Sequence, residues 1–241
     1  YHLIDKIDFD EGEGTEARYK ILKEYNQMIQ EKITIEKPMK VVMDCGNAAG
    51  AINAPDVFKS LGIELKELFC EPDGTFPNHH PDPTVEDNLK DLIAEMRTGQ
   101  YDVGVAFDGD ADRVGIVDET GDIIWADQLM ALFLPEIIDK GEDILFDVKC
   151  SQALEDMINR YGGNPIMWKT GHSLIKQKMS ELGCKLGGEM SGHIFFADDY
   201  YGYDDALYVA ARLVQLLSRT DNSLSQLKSQ IPVYFSTPEM R

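Results

Sequence analysis

Along this chain, short apolar runs that end in an acidic or glycine-rich turn alternate with stretches whose apolar residues recur every three or four positions. The first kind has the length of buried strands, the second the period of helices packed on one face. A helix of about 17 residues from Thr15 opens the pattern, with Leu22, Tyr25, Met28 and Ile29 on one side. Residues 39–44 then form a strand closed by Asp44, and the turn Cys45-Gly46-Asn47-Ala48-Ala49-Gly50 follows. A helix to Leu61, Gly62 as its stop and a strand over 63–69 complete a β-α-β unit. After a long polar loop at 72–83, the segment from Thr84 to Asp87 resembles a capping box opening a helix with Leu89, Leu92, Ile93 and Met96 inward. Strands at 101–107 and 114–117 come next.

Beyond a turn at 119–121 the spacing predicts a short strand through Trp125, a helix from Asp127 and a strand over 143–147. A helix over 151–161, ended by Gly162 and Gly163, a strand over 165–168 and a long amphipathic helix over 204–217 follow. The order strand, terminal Asp, loop, helix, Gly, strand at 41–69 thus returns at 144–168. The pattern predicts an α/β protein of two similarly wound domains, each a mixed sheet between helices, covering 15–122 and 123–241. Residues 1–14 read as an acidic connecting segment, and Ser236-Thr237-Pro238 as the exit of the second domain.

In sheets wound this way, ligands gather outside the carboxyl ends of the strands. The loops at 108–113, 147–149, 169–172 and 187–193 take that position. Asp108-Gly109-Asp110-Ala111-Asp112-Arg113 sets three carboxylates at alternate positions of one turn. Two carboxylates about 4 Å apart repel by roughly 1–4 kcal/mol depending on the dielectric, so such a turn asks for a cation. Gly109 can supply a positive φ and Ala111 adds little bulk, which would point the acids inward. All-oxygen donors suit magnesium, manganese or calcium. Asp108, Asp110, Asp112 and Glu119 also fall at EF-hand positions, but Arg113 stands where that loop needs Gly, and the flanks read as strands. A solvated acidic turn is the plain alternative.

A formal net charge of -20 argues against nucleic acid or an anionic membrane as partner, because counterion-driven binding needs clustered cations. An anionic substrate could bind only where Lys, Arg, His or a metal reverses the local field. Cys45, Cys70, Cys150 and Cys184 lie far apart without a Cys-x-x-Cys pair and read as thiols of a reducing compartment. The longest apolar run, residues 129–138, is too short for a bilayer, and the acidic opening is no signal peptide. A cytoplasmic protein is expected.

Gly188-Glu189-Met190-Ser191-Gly192-His193 packs a carboxylate, a hydroxyl and an imidazole between glycines and reads as a hydroxyl-binding loop, with an ordinary turn as the alternative. Lys149, two residues beyond Asp147, could meet a phosphate or sugar oxygen as a point charge. His172 opens a helix, where free N–H groups favour an anion, or simply caps it. His79 and His80, bracketed by prolines, read as loop structure.

Together these segments resemble the α-D-phosphohexomutase superfamily, most closely its bacterial phosphomannomutase/phosphoglucomutase branch. The resemblance runs through Val41-Val42-Met43-Asp44-Cys45-Gly46, residues 76–83, the Asp108 loop, residues 146–150 and 168–176, the Glu189 loop and residues 236–239. It implies a four-domain enzyme of which these residues form the second and third domains. A phosphoserine-bearing catalytic domain and a C-terminal phosphate-binding domain would flank them. By that resemblance Asp108, Asp110 and Asp112 hold Mg2+, and Arg113 lies beside the transferring phosphoryl group. Lys149, His172, Glu189, Met190, Ser191, Gly192 and His193 would contact the sugar, with His193 and Lys149 as candidates for proton transfer. The implied reaction interconverts hexose 1-phosphate and hexose 6-phosphate, of glucose or mannose, through a 1,6-bisphosphate, and these residues alone are expected to show no turnover.

Ala111 stands where a second Gly is frequent in that family, a substitution expected to keep the turn. Met190 favours the hexose-phosphate branch over phosphoglucosamine mutases, which usually have Gln there. A non-catalytic module for sugar phosphate and metal stays open. A haloacid-dehalogenase-type phosphatase would want an Asp-x-Asp-x-Thr pattern, and the loop lacks that Thr.

Overall fold

The computed structural model describes residues 12–235; the Ser236-Thr237-Pro238 exit and most of the acidic segment at 1–14 lie outside them. The first sheet is built from β1 (Lys40–Asp44), β2 (Glu64–Leu68), β3 (Val103–Phe107), β4 (Val114–Asp118) and β5 (Ile123–Ile124), in the order β2-β1-β3-β4-β5. β1 runs parallel to β2 and β3, whereas β3 to β5 form antiparallel pairs. The second sheet holds β6 (Asp143–Asp147), β7 (Asn164–Trp168), β8 (Leu186–Gly188) and β9 (Ile194–Phe196), in the order β7-β6-β8-β9. Here β6 is parallel to β7 and β8, and β8 is antiparallel to β9. The winding therefore repeats, and in each sheet the third strand turns back into the fourth through a hairpin loop. One of those loops is the acidic turn at 108–113, and the other holds Glu189 and His193.

Alternate side chains of the long strands enter different cores. Val41, Met43, Val103, Val105, Phe107, Ile144 and Phe146 face a central core, whereas Val42 and Ala106 face an outer cluster on the first sheet and Leu145 one on the second. Burial on both faces is why these runs are apolar at nearly every position.

The helices are α1 (Leu22–Lys32), α2 (Ala54–Ser60), α3 (Lys90–Met96), α4 (Ala126–Ile137), α5 (Gln152–Tyr161), α6 (His172–Leu182), α7 (Ala206–Ser218) and α8 (Leu224–Lys228). α3 covers the outer face of the first sheet with Leu92 and Met96, and α6 covers that of the second with Ile175 and Met179. α7 packs on β3, β4 and β9, and α4 packs on β4 and β8, so both touch the two sheets. α7 is buried almost all round, as a helix between two layers must be. Each fully buried Leu or Val on it stabilises the fold by about 1.5–3 kcal/mol. That burial joins the sheets and holds their two hairpins in a fixed relation.

Three sequence expectations are corrected. α1 begins at Leu22 and not at Thr15: Tyr19 is 71% exposed and Ile21 55%, so the preceding residues have no apolar surface to bury against. Thr84 caps no helix. Its N–H and Oγ1 both donate to Asp82 Oδ1, at 3.0 and 2.7 Å, and a 3-10 turn (Glu86–Leu89) leads into α3. The helix expected from Asp204 starts at Ala206, because Asp205 is its N-cap and accepts the Tyr208 N–H at 3.0 Å. All four cysteines are free. Among the described residues no helix is long and apolar enough to cross a membrane.

Candidate active site

The acidic turn is organised by one of its own carboxylates. Asp108, at the end of β3, is buried; its Oδ1 accepts the N–H groups of Asp112 (3.0 Å) and Arg113 (3.1 Å), and its Oδ2 accepts Arg113 Nε–H at 2.7 Å. Gly109 does not take the positive φ expected of it. Ala111 does, at 63°, in a region that costs a residue with Cβ about 1–2 kcal/mol. Three separate segments grip this turn: Ala49 N–H donates to Gly109 O (3.2 Å), Ala206 N–H to Ala111 O (3.2 Å) and Val114 N–H to Gly192 O (3.2 Å).

Asp108, Asp110 and Asp112 each offer a carboxylate oxygen within 4.8 Å of the others. Converging hard oxygen donors of one charge fit a hard divalent cation. Burial pushes the Asp112 carboxyl above the usual range; the charges of Asp108 and Asp110 add to that, and His193 opposes it.

The second hairpin meets the first directly. Gly192 has φ 103°, and a Cβ there would come within 3.0 Å of Val114 O, so only glycine lets the two loops approach this closely. His193 Nε2 lies 3.2 Å from Asp112 Oδ1, while its Nδ1 lies 3.1 Å from Glu189 Oε2 and 2.9 Å from Ser191 Oγ. Burial works to lower the His193 pKa, but the Glu189 hydrogen bond and the charges of Asp112 and Glu189 outweigh it, leaving the imidazole above its ordinary value. Glu189 is 2% exposed, and its Oε1 accepts the Gly171 N–H. Burial raises its carboxyl, yet the bonds from His193 and Gly171 hold it below the ordinary range.

His172, the first residue of α6, stacks on His193 with centroids 5.5 Å apart, and its Nδ1 lies 3.2 Å from Asp204 Oδ2. Lys176 Nζ donates to the other Asp204 oxygen at 2.7 Å. Asp147, at the end of β6, accepts the Met190 N–H (3.1 Å) and Thr170 Oγ1–H (2.9 Å), which ties the Glu189 loop to the turn before α6. Lys149 is exposed and, among the described residues, makes no ion pair.

The fold thus gathers Asp108, Asp110, Asp112, Arg113, His172, Glu189, Ser191 and His193, with Met190 and Gly192 in the same hairpin and Lys149 one turn of chain beyond Asp147. Sequence reasoning missed Asp204, which lies with Asp112 and His193 in a second group of donors within 4.8 Å. A signal was present: an Asp204-Asp205 pair before an apolar helix, where one acid suffices as cap. His79, read as loop structure, is that and more. Its Nε2 lies 3.0 Å from Asp44 Oδ2, an acid distant in sequence.

Family models described as phosphoglucomutase/phosphomannomutase alpha/beta/alpha domain II and domain III match residues 23–121 and 125–234. Both descriptions fall within the α-D-phosphohexomutase superfamily. The chain belongs to its phosphoglucomutase/phosphomannomutase family. It is 49% identical over 239 residues to a phosphomannomutase/phosphoglucomutase of Pseudomonas aeruginosa, covering 98% of this chain and 52% of that protein. A phosphoglucomutase of Neisseria meningitidis is 45% identical over 242 residues, covering 99% and 52%. The crystal structure of a family protein from Burkholderia thailandensis superposes with a TM-score of 0.95 at 44% identity, over 99% of this chain and 52% of that one. The chain spans about half the length of the relatives it matches.

Proposed function

We propose that this chain forms the metal-bearing and sugar-bearing centre of a phosphohexomutase that interconverts the 1- and 6-phosphates of glucose or mannose in the cytoplasm. Flanking domains of the complete enzyme would supply the phosphoserine and a grip on the distal phosphate. The observation that carries this reading is His193, held between Asp112 of the acidic turn and Glu189 of the facing hairpin, at 3.2 and 3.1 Å. A group that can hold or move a proton thereby stands between an anion trap for a cation and a set of hydroxyl acceptors.

Asp108, Asp110 and Asp112 would hold Mg2+, which neutralises charge on phosphoryl oxygens when bound. Phosphoryl transfer asks mainly for positioning and charge neutralisation. Arg113 donates to a phosphoryl oxygen, and exposed Lys149 adds a second positive charge beside the sugar. His193 takes the proton from the attacking hydroxyl and returns it in the reverse half-reaction. Each Glu189 oxygen already accepts one bond from the protein and keeps a second lone pair for a sugar hydroxyl. Turning the hexose between half-reactions exchanges its 3- and 4-hydroxyls, which a carboxylate with two such oxygens accommodates. Met190, Ser191 and Gly192 belong to the same hairpin, and His172 stacks on His193 beside it.

The test uses the protein with its flanking domains: conversion of glucose, mannose and galactose 1-phosphates across a Mg2+ titration. Glucose and mannose, which differ at C2, should both react, and galactose, altered at C4, poorly. Comparable galactose turnover would remove Glu189 from this role, and no turnover of any hexose phosphate would leave a binding module. The 241-residue chain alone should be inactive.

A further inference from the structure

The polar loop before α3 contains a clasp that touches the acidic turn, and nothing in the mechanism above uses it. Its Pro81-Asp82-Pro83 segment packs closely on two glycines, Gly115 of β4 and Gly46 of the turn after β1. A Cβ on Gly115 would fall 2.5 Å from Pro83 Cβ, and one on Gly46 would fall 2.9 Å from Pro81 Cβ. Asp82 between them is held on every side. Its N–H donates to His80 O (2.8 Å), its carbonyl accepts Asn88 Nδ2–H (2.9 Å), and its Oδ1 accepts the Thr84 N–H and Oγ1–H. That carboxylate is therefore fixed by its own loop, whatever Arg113 does.

Arg113 sits among three acids. Its Nε is bound to Asp108 Oδ2 at 2.7 Å, its Nη1 lies 3.5 Å from Asp82 Oδ1, and Asp112 Oδ1 is next at 3.9 Å from Nε. Among the described residues its Nη2 has no partner. The Nε bond anchors one edge of the guanidinium and the longer Asp82 contact orients Nη1, so the third nitrogen points its donors one way. With Asp82 neutralised, Asp112 is the nearest carboxylate after Asp108. Pairing there would cancel a candidate cation ligand and turn Nη2 aside.

We propose that Asp82 is a positioning residue that holds Arg113 off Asp112 and keeps its free guanidinium edge aimed at the anion the site receives. The catalytic part of this inference rests on the mutase reading; the geometric part does not.

The experiment is a double-mutant cycle, Asp82→Asn with Arg113→Gln, read two ways. In the intact protein, Asp82→Asn should lower kcat on the order of tenfold, the low end for a hydrogen bond to a charged group, with KM nearly unchanged. In the 241-residue chain it should weaken Mn2+ binding, followed by Mn2+ titration. In the Arg113→Gln background both effects should vanish. Equal losses in both backgrounds would mean that Asp82 only stiffens its loop, and would overturn the proposal. If Asp82→Asn unfolds, as thermal melting would reveal, Thr84→Val removes one of the two bonds that fix the carboxylate and leaves the carboxylate in place, and its smaller loss should again disappear with Arg113→Gln. An intact wild-type protein that converts no hexose phosphate would end the mutase reading, while the Mn2+ cycle would still decide the role of Asp82.

Discussion

His193 Nε2 and Asp112 Oδ1 stand 3.2 Å apart, one on the hairpin of the second sheet and the other on the hairpin of the first. Their contact couples the state of the acidic turn to the imidazole that pairs with Glu189. Replacing His193 with Gln in the intact protein should therefore lower hexose phosphate turnover by about 10²–10⁴-fold, the range for loss of a general acid–base group. Thermal stability should fall modestly, because the ring pairs with buried Glu189 and bridges to Asp112 on the facing hairpin. Turnover within a few-fold of wild type would remove His193 from proton transfer.

The three aspartates of the turn should separate by role. Asp110 is exposed and organises nothing, so Asp110→Asn should weaken Mn2+ binding and leave stability within about 0.5 kcal/mol. Asp108 accepts three hydrogen bonds, one of them charged, so Asp108→Asn should also destabilise the chain by about 1–3 kcal/mol. Urea melts beside Mn2+ titrations of both variants test the distinction.

Ala111 carries a φ of 63° that glycine adopts freely. Ala111→Gly relieves about 1–2 kcal/mol of backbone strain and loosens the unfolded chain by about 0.4–1 kcal/mol. The strain is the larger quantity, so the variant should gain up to about 1 kcal/mol in a chemical melt. A loss of stability would show that the side chain contributes packing that offsets its strain.

Stability should also fall at alkaline pH through His79. The hydrogen bond to Asp44 raises the His79 pKa above its ordinary 6.5, against the opposing effect of burial. The protonated form is favoured in the folded state, so its contribution is fully present below about pH 6.5 and is lost as pH rises through the folded value. His79→Gln should flatten that part of the profile, measured by denaturant unfolding from pH 6 upward. An unchanged slope would remove His79 from the pH dependence.

Much of this protein was legible in one dimension because the informative signals are local. An apolar run closed by an acid and a glycine-bearing turn is a strand end wherever it lies, and the repeat of that order at 41–69 and 144–168 disclosed two wound units. The residue types of the acidic turn and of the Glu189 loop marked both as polar clusters in the same way, and the fold brings the two together. Where local reading failed, a competing short-range bond or a missing surface decided the outcome: Thr84 turned to Asp82, two residues back, instead of capping a helix, and residues from Thr15 to Lys20 found nothing to pack on.

The sequence by itself determined the elements, their order and the kinds of side chain at the strand ends. Only the tertiary structure decided that Asp108 builds the turn, that Ala111 and not Gly109 takes the left-handed conformation, and that His193 reaches Asp112. The reason is physical. Periodicity records which face of an element is buried, but not which bonds close inside a turn, as around Asp108, nor that α4 and α7 pack on both sheets and so let His193 meet Asp112.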